Sequence, residues 1–378
     1  MGRRGAVTHP PEPPAVLFVC LTGGLGGSTR SVATVLSHIE GRATRVVAGP
    51  PRGRFTRLVA ERGLSDERVD LPQKGDHRLR AIARVRAAAR LARWARANRS
   101  RLAAIHANGP EEINVAAPAA LCAGVPLVVW THAWTVPPSA RHFGRVWRRL
   151  LARHPVRYAA VSALAARMFA DAGYTDVGNV ELIPNPIDPA DVLVEPAARH
   201  DDIVRVGFLG AADQRKGVDL LPGVIAALAD LSVRWILFTP RTAELAPVER
   251  LIRERPEMAI EWPGLVADVR VAYAQLDVVF CPSRMESFCR VVAEAMLNGI
   301  AVVASDLEPI RGLVGEDEAG LLFPPGDPEA AVVALRLVVA DAKVRAALGD
   351  SGRSRAAMFE PAAVVDQLAR LYGLRVSP

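Results

Sequence analysis

Short apolar runs separated by helix-favouring stretches recur along this chain, break off near residue 195 and begin again near residue 204. No other feature constrains the fold as strongly. Apolar runs of roughly four to eight residues alternating with helices predict βαβ units and a parallel sheet covered on both faces. In the first half the runs are Val16–Cys20, Thr44–Ala48, Leu102–His106, Pro126–Thr131, Arg157–Val161 and Glu181–Ile183. In the second they are Val204–Leu209, Val233–Phe238, Ala259–Glu261, Val278–Cys281 and Ala301–Ala304, with helices expected at Gly217–Ala229, Val291–Asn298 and Pro328–Val339. One architecture used twice gives an α/β fold of two tandem Rossmann-like domains with a cleft between them, and such clefts take ligands. The 378 residues suit that count. The expected division is a flexible tail over 1–14, a first domain over 15–198, a second over 199–355, and a C-terminal helical segment over 356–378 that packs back on the first. The polar stretch Glu195–Asp202 is the linker.

Composition removes several alternatives. Half the residues are hydrophobic and 23% are charged, which is neither disorder nor coiled coil. No run approaches the roughly 20 apolar residues that span a bilayer, and Val16–Leu21 is too short for a signal-peptide core, so a cytoplasmic chain is expected. The four cysteines (Cys20, Cys122, Cys281, Cys289) lack CxxC spacing, which argues against a zinc site or a disulfide framework. Charge is unevenly placed: residues 1–200 hold 28 Lys and Arg against 15 Asp and Glu, a net of +13, and the remainder holds 19 against 25, a net of −6. Opposite halves imply different partners.

Six places can carry chemistry. LTGGLGGSTRS (21–31) follows the first strand; Gly26 and Gly27 allow close approach of a ligand, and Ser28 or Thr29 is placed to cap the next helix. It is not GxGxxG, since position 29 is Thr, and no acidic residue stands where it would bind a ribose. An NAD-type oxidoreductase is therefore weakly supported. In FLGAADQRKG, Arg215 and Lys216 follow a strand and suit a phosphate. In CPSRMESFCRVVAEAM, Glu286 and the N–H groups of Ser287, Phe288 and Cys289 sit before a helix, and Glu294 lies two turns in. His132 ends the strand of VVWTHAW. The Arg-rich helix Arg78–Arg101, with Leu79, Ile82, Val85, Leu91 and Trp94 on one stripe, reads either as a solvated helix or as one lying on an anionic membrane. Nucleic acid is disfavoured, because no recognised motif accompanies the charge. Glu111 and Glu112 either favour a helix N-terminus or meet an acceptor. No Asp-x-Asp and no GxxxxGK[ST] occurs, which removes the usual metal hold on a nucleotide diphosphate and the P-loop.

Taken together these segments resemble the GT-B glycosyltransferases of the large retaining family 4, the group 1 type. ESFCRVVAEAMLNGIAVVASD with AGLLFPPGDPEA looks like the family's E-x7-E region and its continuation; IPNPID, VVWTHAW and AAVSALAARMFADAG resemble three further segments. The resemblance covers about residues 15–375. It implies a bacterial hexosyltransferase that uses a UDP- or GDP-sugar as substrate, retains anomeric configuration and needs no metal or cofactor. By matching position, Glu286 would contact the donor sugar's hydroxyls, Glu294 the ribose, Lys216 the diphosphate and His132 the donor sugar, while Gly26 and Gly27 let the first loop approach the phosphate. The family's second diphosphate cation is an Arg where this chain has Ala211, and Arg215 is the substitute at hand. The base pocket falls around Pro240–Arg241 and Pro263–Val266 by position. The basic first domain leans toward an envelope glycolipid or polysaccharide acceptor at a membrane surface. Glu111 and Glu112 keep a natural-product acceptor of aminoglycoside type open, and Ala211 keeps open a relative that binds nucleotide sugar without turnover. Oligomeric state is not legible.

Overall fold

The computed structural model describes residues 13–21, 26–72, 80–132, 138–197, 201–315 and 318–375, with side chains left undescribed at 80, 81 and 138–142. The first seven strands are β1 (Ala15–Val19), β2 (Thr44–Gly49), β3 (Glu67–Asp70), β4 (Leu102–Ala107), β5 (Leu127–Thr131), β6 (Val156–Ala160) and β7 (Val180–Leu182). They form one parallel sheet in the order β3-β2-β1-β4-β5-β6-β7. The next six are β8 (Val204–Leu209), β9 (Val233–Phe238), β10 (Ala259–Glu261), β11 (Val278–Cys281), β12 (Ala301–Ser305) and β13 (Leu321–Phe323), parallel in the order β10-β9-β8-β11-β12-β13. Each sheet reverses its strand order once, between β1 and β4 and between β8 and β11. A parallel α/β sheet opens a crevice at the C-terminal ends of its strands at that reversal. The two Rossmann-like sheets expected from the sequence are both present.

The central strands are built for burial on two faces. Every residue of β1, β5, β11 and β12 is buried, and the covering helices add mostly Ala, Val and Leu. Two strands escaped the sequence reading, each for a physical reason. Glu67–Asp70 is an edge strand that buries only Val69 among charged neighbours, and Leu321–Phe323 is a three-residue edge. The helix expected over Gly217–Ala229 opens instead as a 3-10 turn at Val218–Leu220 and becomes α-helical at Leu221–Ala227. The Arg-rich helix spans Arg80–Ala97; its buried face is Ala87, Leu91 and Ala95, while Ile82 and Val85 point outward, so the single apolar stripe is split. Leu79 lies outside the described residues.

The chain crosses between the sheets twice. After β7, Ile187 N–H donates to Phe359 O at 3.0 Å, and the Asn298 side chain links the backbone at Val192 and Val194. At the other end, the helix Pro361–Tyr372 lies against the first sheet's layer. Asp366 pairs with Arg42, Arg157 donates to the carbonyls of Arg370 and Leu371, and Tyr372 Oη meets His106 Nδ1 at 2.9 Å.

Candidate active site

The loops after β8 and β11 flank the second sheet's reversal, and a glycine brings them together. Gly217 sits at φ +69°, and a Cβ there would lie 1.9 Å from Pro282 O, so no other residue fits without moving backbone. Asp213 caps the intervening turn through the Lys216 N–H, and Arg284 N–H donates to Arg215 O at 2.7 Å. Lys216 Nζ then donates to Glu286 Oε1 at 2.6 Å, and Ser283 Oγ donates to the same oxygen at 2.8 Å. Their side chains are 23% and 10% exposed, enough for a ligand to reach a pair otherwise enclosed. Burial alone would lower the Lys216 pKa; the Glu286 carboxylate outweighs it, with the two nearby thiols adding, and holds the ammonium above its ordinary value. Glu286 Oε2 takes no hydrogen bond among the described residues, nor do the N–H groups of Ser287, Phe288 and Cys289. One side of the site therefore offers a cation, a carboxylate oxygen and free backbone donors.

Glu294 is enclosed. It is 3% exposed, its Oε1 accepts from Arg290 Nε at 3.1 Å, and its Oε2 accepts from Tyr273 Oη at 2.9 Å. Carboxylate oxygens carry two lone-pair sites each, so both keep capacity for a hydroxyl. Arg290 was not singled out by the sequence reading, although its i,i+4 spacing to Glu294 is an ion-pair signal. Its Nη1 reaches Ser31 Oγ at 3.1 Å and Pro186 O at 3.2 Å.

The first-sheet wall begins at Gly26, the N-cap of the helix Gly27–His38. Neither Ser28 nor Thr29 is the N-cap. Thr29 bonds back from inside the helix, accepting from Gly26 N at 2.9 Å, because the chain already turns at the glycine. A Cβ at Gly26 would meet nothing within 4 Å, whereas one at Gly27 would press on Arg290 Cδ at 3.3 Å. Residues 22–25 of that loop lie outside the described residues. His132 follows β5, its ring 4.4 Å from that of Trp130. Among the described residues, both its ring nitrogens and Asn185 Oδ1 are buried without a partner at hydrogen-bond distance. Burial, with the charges of His106 and Arg290 adding, pushes the His132 pKa down to about 3, so its imidazole is neutral near neutral pH.

Three residues stand elsewhere. The Arg215 guanidinium is held by Asp213 at 2.7 Å on a side chain 45% exposed, not by the Lys216–Glu286 pair. Glu111 lies 3.6 Å from Arg84, and Glu112 turns inward, its Oε1 accepting from Leu21 N at 3.3 Å. Beside the second sheet, Arg241 stacks over Trp262 at 4.5 Å, and Trp262 Nε1 donates to Thr239 O at 2.8 Å. The four cysteines are free, and Cys281 and Cys289 meet, Sγ to Sγ at 3.5 Å, next to Glu286. Strand-to-helix folding across eight residues brings them together, which spacing alone does not show. Among the described residues, no helix is long and apolar enough to cross a membrane.

Comparison with known proteins matches each half separately. Residues 25–191 match the model of Glycosyltransferase Family 4, and residues 203–341 that of Glycosyl transferases group 1. The chain is 34% identical over 227 residues to the phosphatidyl-myo-inositol mannosyltransferase of Mycolicibacterium smegmatis, covering 56% of each chain. It is 32% identical over 162 residues to the sulfoquinovosyl transferase SQD2 of Arabidopsis thaliana, covering 42% of this chain and 30% of that one. The match thus spans about half the length of the first relative and less of the second. The crystal structure of Anabaena Alr3699/HepE in complex with UDP and glucose superposes with a TM-score of 0.74 at 22% identity, over 94% of this chain and 98% of that one. At that identity the likeness speaks for the fold, and it is the same pair of Rossmann-like domains. With its two halves matching the two parts of one architecture in the right order, the chain belongs to the family 4, group 1 glycosyltransferases of GT-B fold.

Proposed function

We propose that this protein moves a sugar from a UDP- or GDP-linked donor to an acceptor hydroxyl, with retention at the anomeric carbon and without a metal ion. The observation that carries the reading is the Lys216–Glu286 pair, 2.6 Å apart at the second sheet's reversal, beside N–H groups that have no partner among the described residues. Negative charge develops on the leaving diphosphate, and a fixed cation with preorganised N–H donors stabilises it where it forms. Lys216 and the backbone of Ser287, Phe288 and Cys289 supply both. Glu286 Oε2 receives the sugar's hydroxyls, Glu294 the ribose, and neutral His132 presents a ring nitrogen to the sugar. Gly26 leaves room for phosphate at the facing wall. The acceptor's proton passes to the leaving phosphate on the same face.

The acceptor we favour is a lipid-anchored hydroxyl at an anionic membrane surface. The helices Arg80–Ala97 and Pro138–Leu150 both pack on the helix Pro110–Ala123, and between them expose Ile82, Val85, Phe143, Val146 and Leu150 among arginines. The names of the relatives, one a phosphatidyl-myo-inositol mannosyltransferase, agree with such an acceptor. The acidic pair that kept a cationic acceptor open is otherwise engaged, Glu111 near Arg84 and Glu112 at Leu21 N–H.

The deciding experiment is a thermal-shift panel of UDP-, GDP- and dTDP-sugars in chelator, followed by anomeric analysis of any product. Stabilisation by one nucleotide sugar and turnover with retention support the reading. Stabilisation without turnover under any acceptor favours the binding-only relative suggested by Ala211, and no stabilisation by any sugar nucleotide overturns it.

A further inference from the structure

Cys281 ends β11, and Cys289 is the N-cap of the helix Arg290–Leu297. Their sulfurs lie 3.5 Å apart, and each is within 4.8 Å of a Glu286 carboxylate oxygen. Cys289 is at φ +73°, the sole non-glycine with positive φ among the described residues, a conformation that stores strain in the backbone leading into the helix. The trio Cys281, Glu286 and Cys289 has the donor atoms of a metal site, but the Lys216 ammonium already occupies Glu286 at 2.6 Å. Two thiols in van der Waals contact are instead placed to react with each other. We propose that Cys281 and Cys289 form a reversible disulfide that switches off the neighbouring donor site. The inference rests on the reading of Lys216, Glu286 and the helix start as that site.

The chemistry closes with a hydroperoxide as oxidant. The Cys281 thiolate attacks a peroxide oxygen, breaking the O–O bond, giving a sulfenic acid and releasing hydroxide. The Cys289 sulfur then attacks the sulfenic sulfur; the S–S bond forms and water leaves. Two thiols have lost two protons and two electrons, and one hydrogen peroxide has become two waters. The order follows from the pair's own contact. The hydrogen bond shared with Cys289 lowers the Cys281 pKa, against burial and the Glu286 carboxylate and with help from Lys216 and Ser283, while that contact and burial push Cys289 well up. The sulfurs are 6% and 4% exposed by residue, so a small oxidant is required. An S–S bond is about 2.05 Å long, so closure draws the sulfurs together by roughly 1.5 Å. Cys289 directly precedes Arg290, and its own N–H is one of the unpartnered donors. The displacement therefore falls on the N–H groups and on Glu286. A misplacement of about 1 Å at reacting groups can cost on the order of a hundredfold in rate.

The test uses the full chain carrying Cys122→Ser, which removes an exposed thiol. After hydrogen peroxide the protein is alkylated and digested with trypsin, which cuts after Arg284 and Arg290 and so leaves Cys281 and Cys289 on different peptides. The expected result is a linked pair of these peptides that dithiothreitol separates. Linkage should lower nucleotide-sugar stabilisation and transfer about tenfold or more, both restored on reduction, and Cys281→Ser should abolish linkage and sensitivity while retaining basal transfer. Both thiols alkylated after peroxide, or a linked pair with unchanged melting temperature and unchanged donor response, overturns the proposal. Linkage and melting temperature are read without substrate. If the reduced protein binds no nucleotide sugar, the functional reading has failed, and linkage with a shifted melting temperature still decides whether the pair is a switch.

Discussion

Arg290 donates from Nη1 to Ser31 Oγ at 3.1 Å, joining residues 259 positions apart and the layers of two different sheets. The same guanidinium holds Glu294 through Nε and reaches the Pro186 carbonyl in the crossing segment. It also underlies Gly27, where a Cβ would press on its stem. One partly buried cation thus fixes the carboxylate assigned to the ribose and the start of the first-loop helix relative to each other.

Replacing that cation should cost both fold and binding. Removing one partner of a buried ion pair typically costs about 3–5 kcal/mol. We expect Arg290→Ala to lower stability on that scale in urea unfolding. Arg290→Ala with Glu294→Gln should recover part of it, since the stranded charge is then gone. A double-variant loss equal to the sum of the Arg290→Ala and Glu294→Gln losses would show that the pair is not coupled.

Lys216→Ala and Glu286→Gln should each lower kcat by roughly a hundredfold to a thousandfold, the range for removing one preorganised charge stabiliser. Circular dichroism should be unchanged, because both groups lie on loops after strands. Turnover within a factor of about two of the parent would remove these residues from the proposed chemistry.

Gly217→Ala should destabilise by about 2 kcal/mol or more, since it forces a Cβ onto Pro282 O and occupies a left-handed conformation. The neighbouring loops would part and Lys216 would leave Glu286, so transfer should fall with stability. Gly26→Ala, into open space, should leave stability within about 0.5 kcal/mol.

The buried histidines give stability a defined pH dependence. Burial lowers the pKa of His106 to about 3, and burial with neighbouring charges does the same for His132, from an ordinary value of 6.5. Between those values the unfolded chain binds more protons than the folded one. Stability is therefore complete above pH 6.5 and falls as the pH drops toward 3, by about 1.4 kcal/mol per pH unit for each histidine. Calorimetry on His106→Gln should show a shallower fall over that window, and an unchanged slope would refute the assignment.

Liposome sedimentation tests the exposed basic face. Binding to vesicles containing phosphatidylglycerol, weakened by salt and by Phe143→Ser with Leu150→Ser, is expected. Equal binding to neutral vesicles would count against charge as the attraction.

The alternation of apolar runs was enough to determine two parallel sheets, because a strand buried on both faces must be largely apolar; the wholly buried β11 falls on the expected residues, as do the mostly buried β8 and β9. Two of the four edge strands, β3 and β13, escaped, β3 for the converse reason. Exposed on one side, Glu67–Asp70 carries charge and no apolar run. The positions of Lys216 and Glu286 after strands were legible, since a parallel sheet presents the loops at its C-terminal ends. What sequence could not supply is which side chains meet across 70 residues or more. The 2.6 Å contact of Lys216 with Glu286 needs Gly217 to seat against Pro282 O, and the reach of Arg290 to Ser31 needs both sheets in place. The inward turn of Glu112 to the Leu21 N–H was decided by the same thing, whereas Arg215 is engaged by Asp213, a neighbour only two positions away. Local spacing fixes the element a residue stands on, while its partner is chosen by the packing of elements distant in the chain.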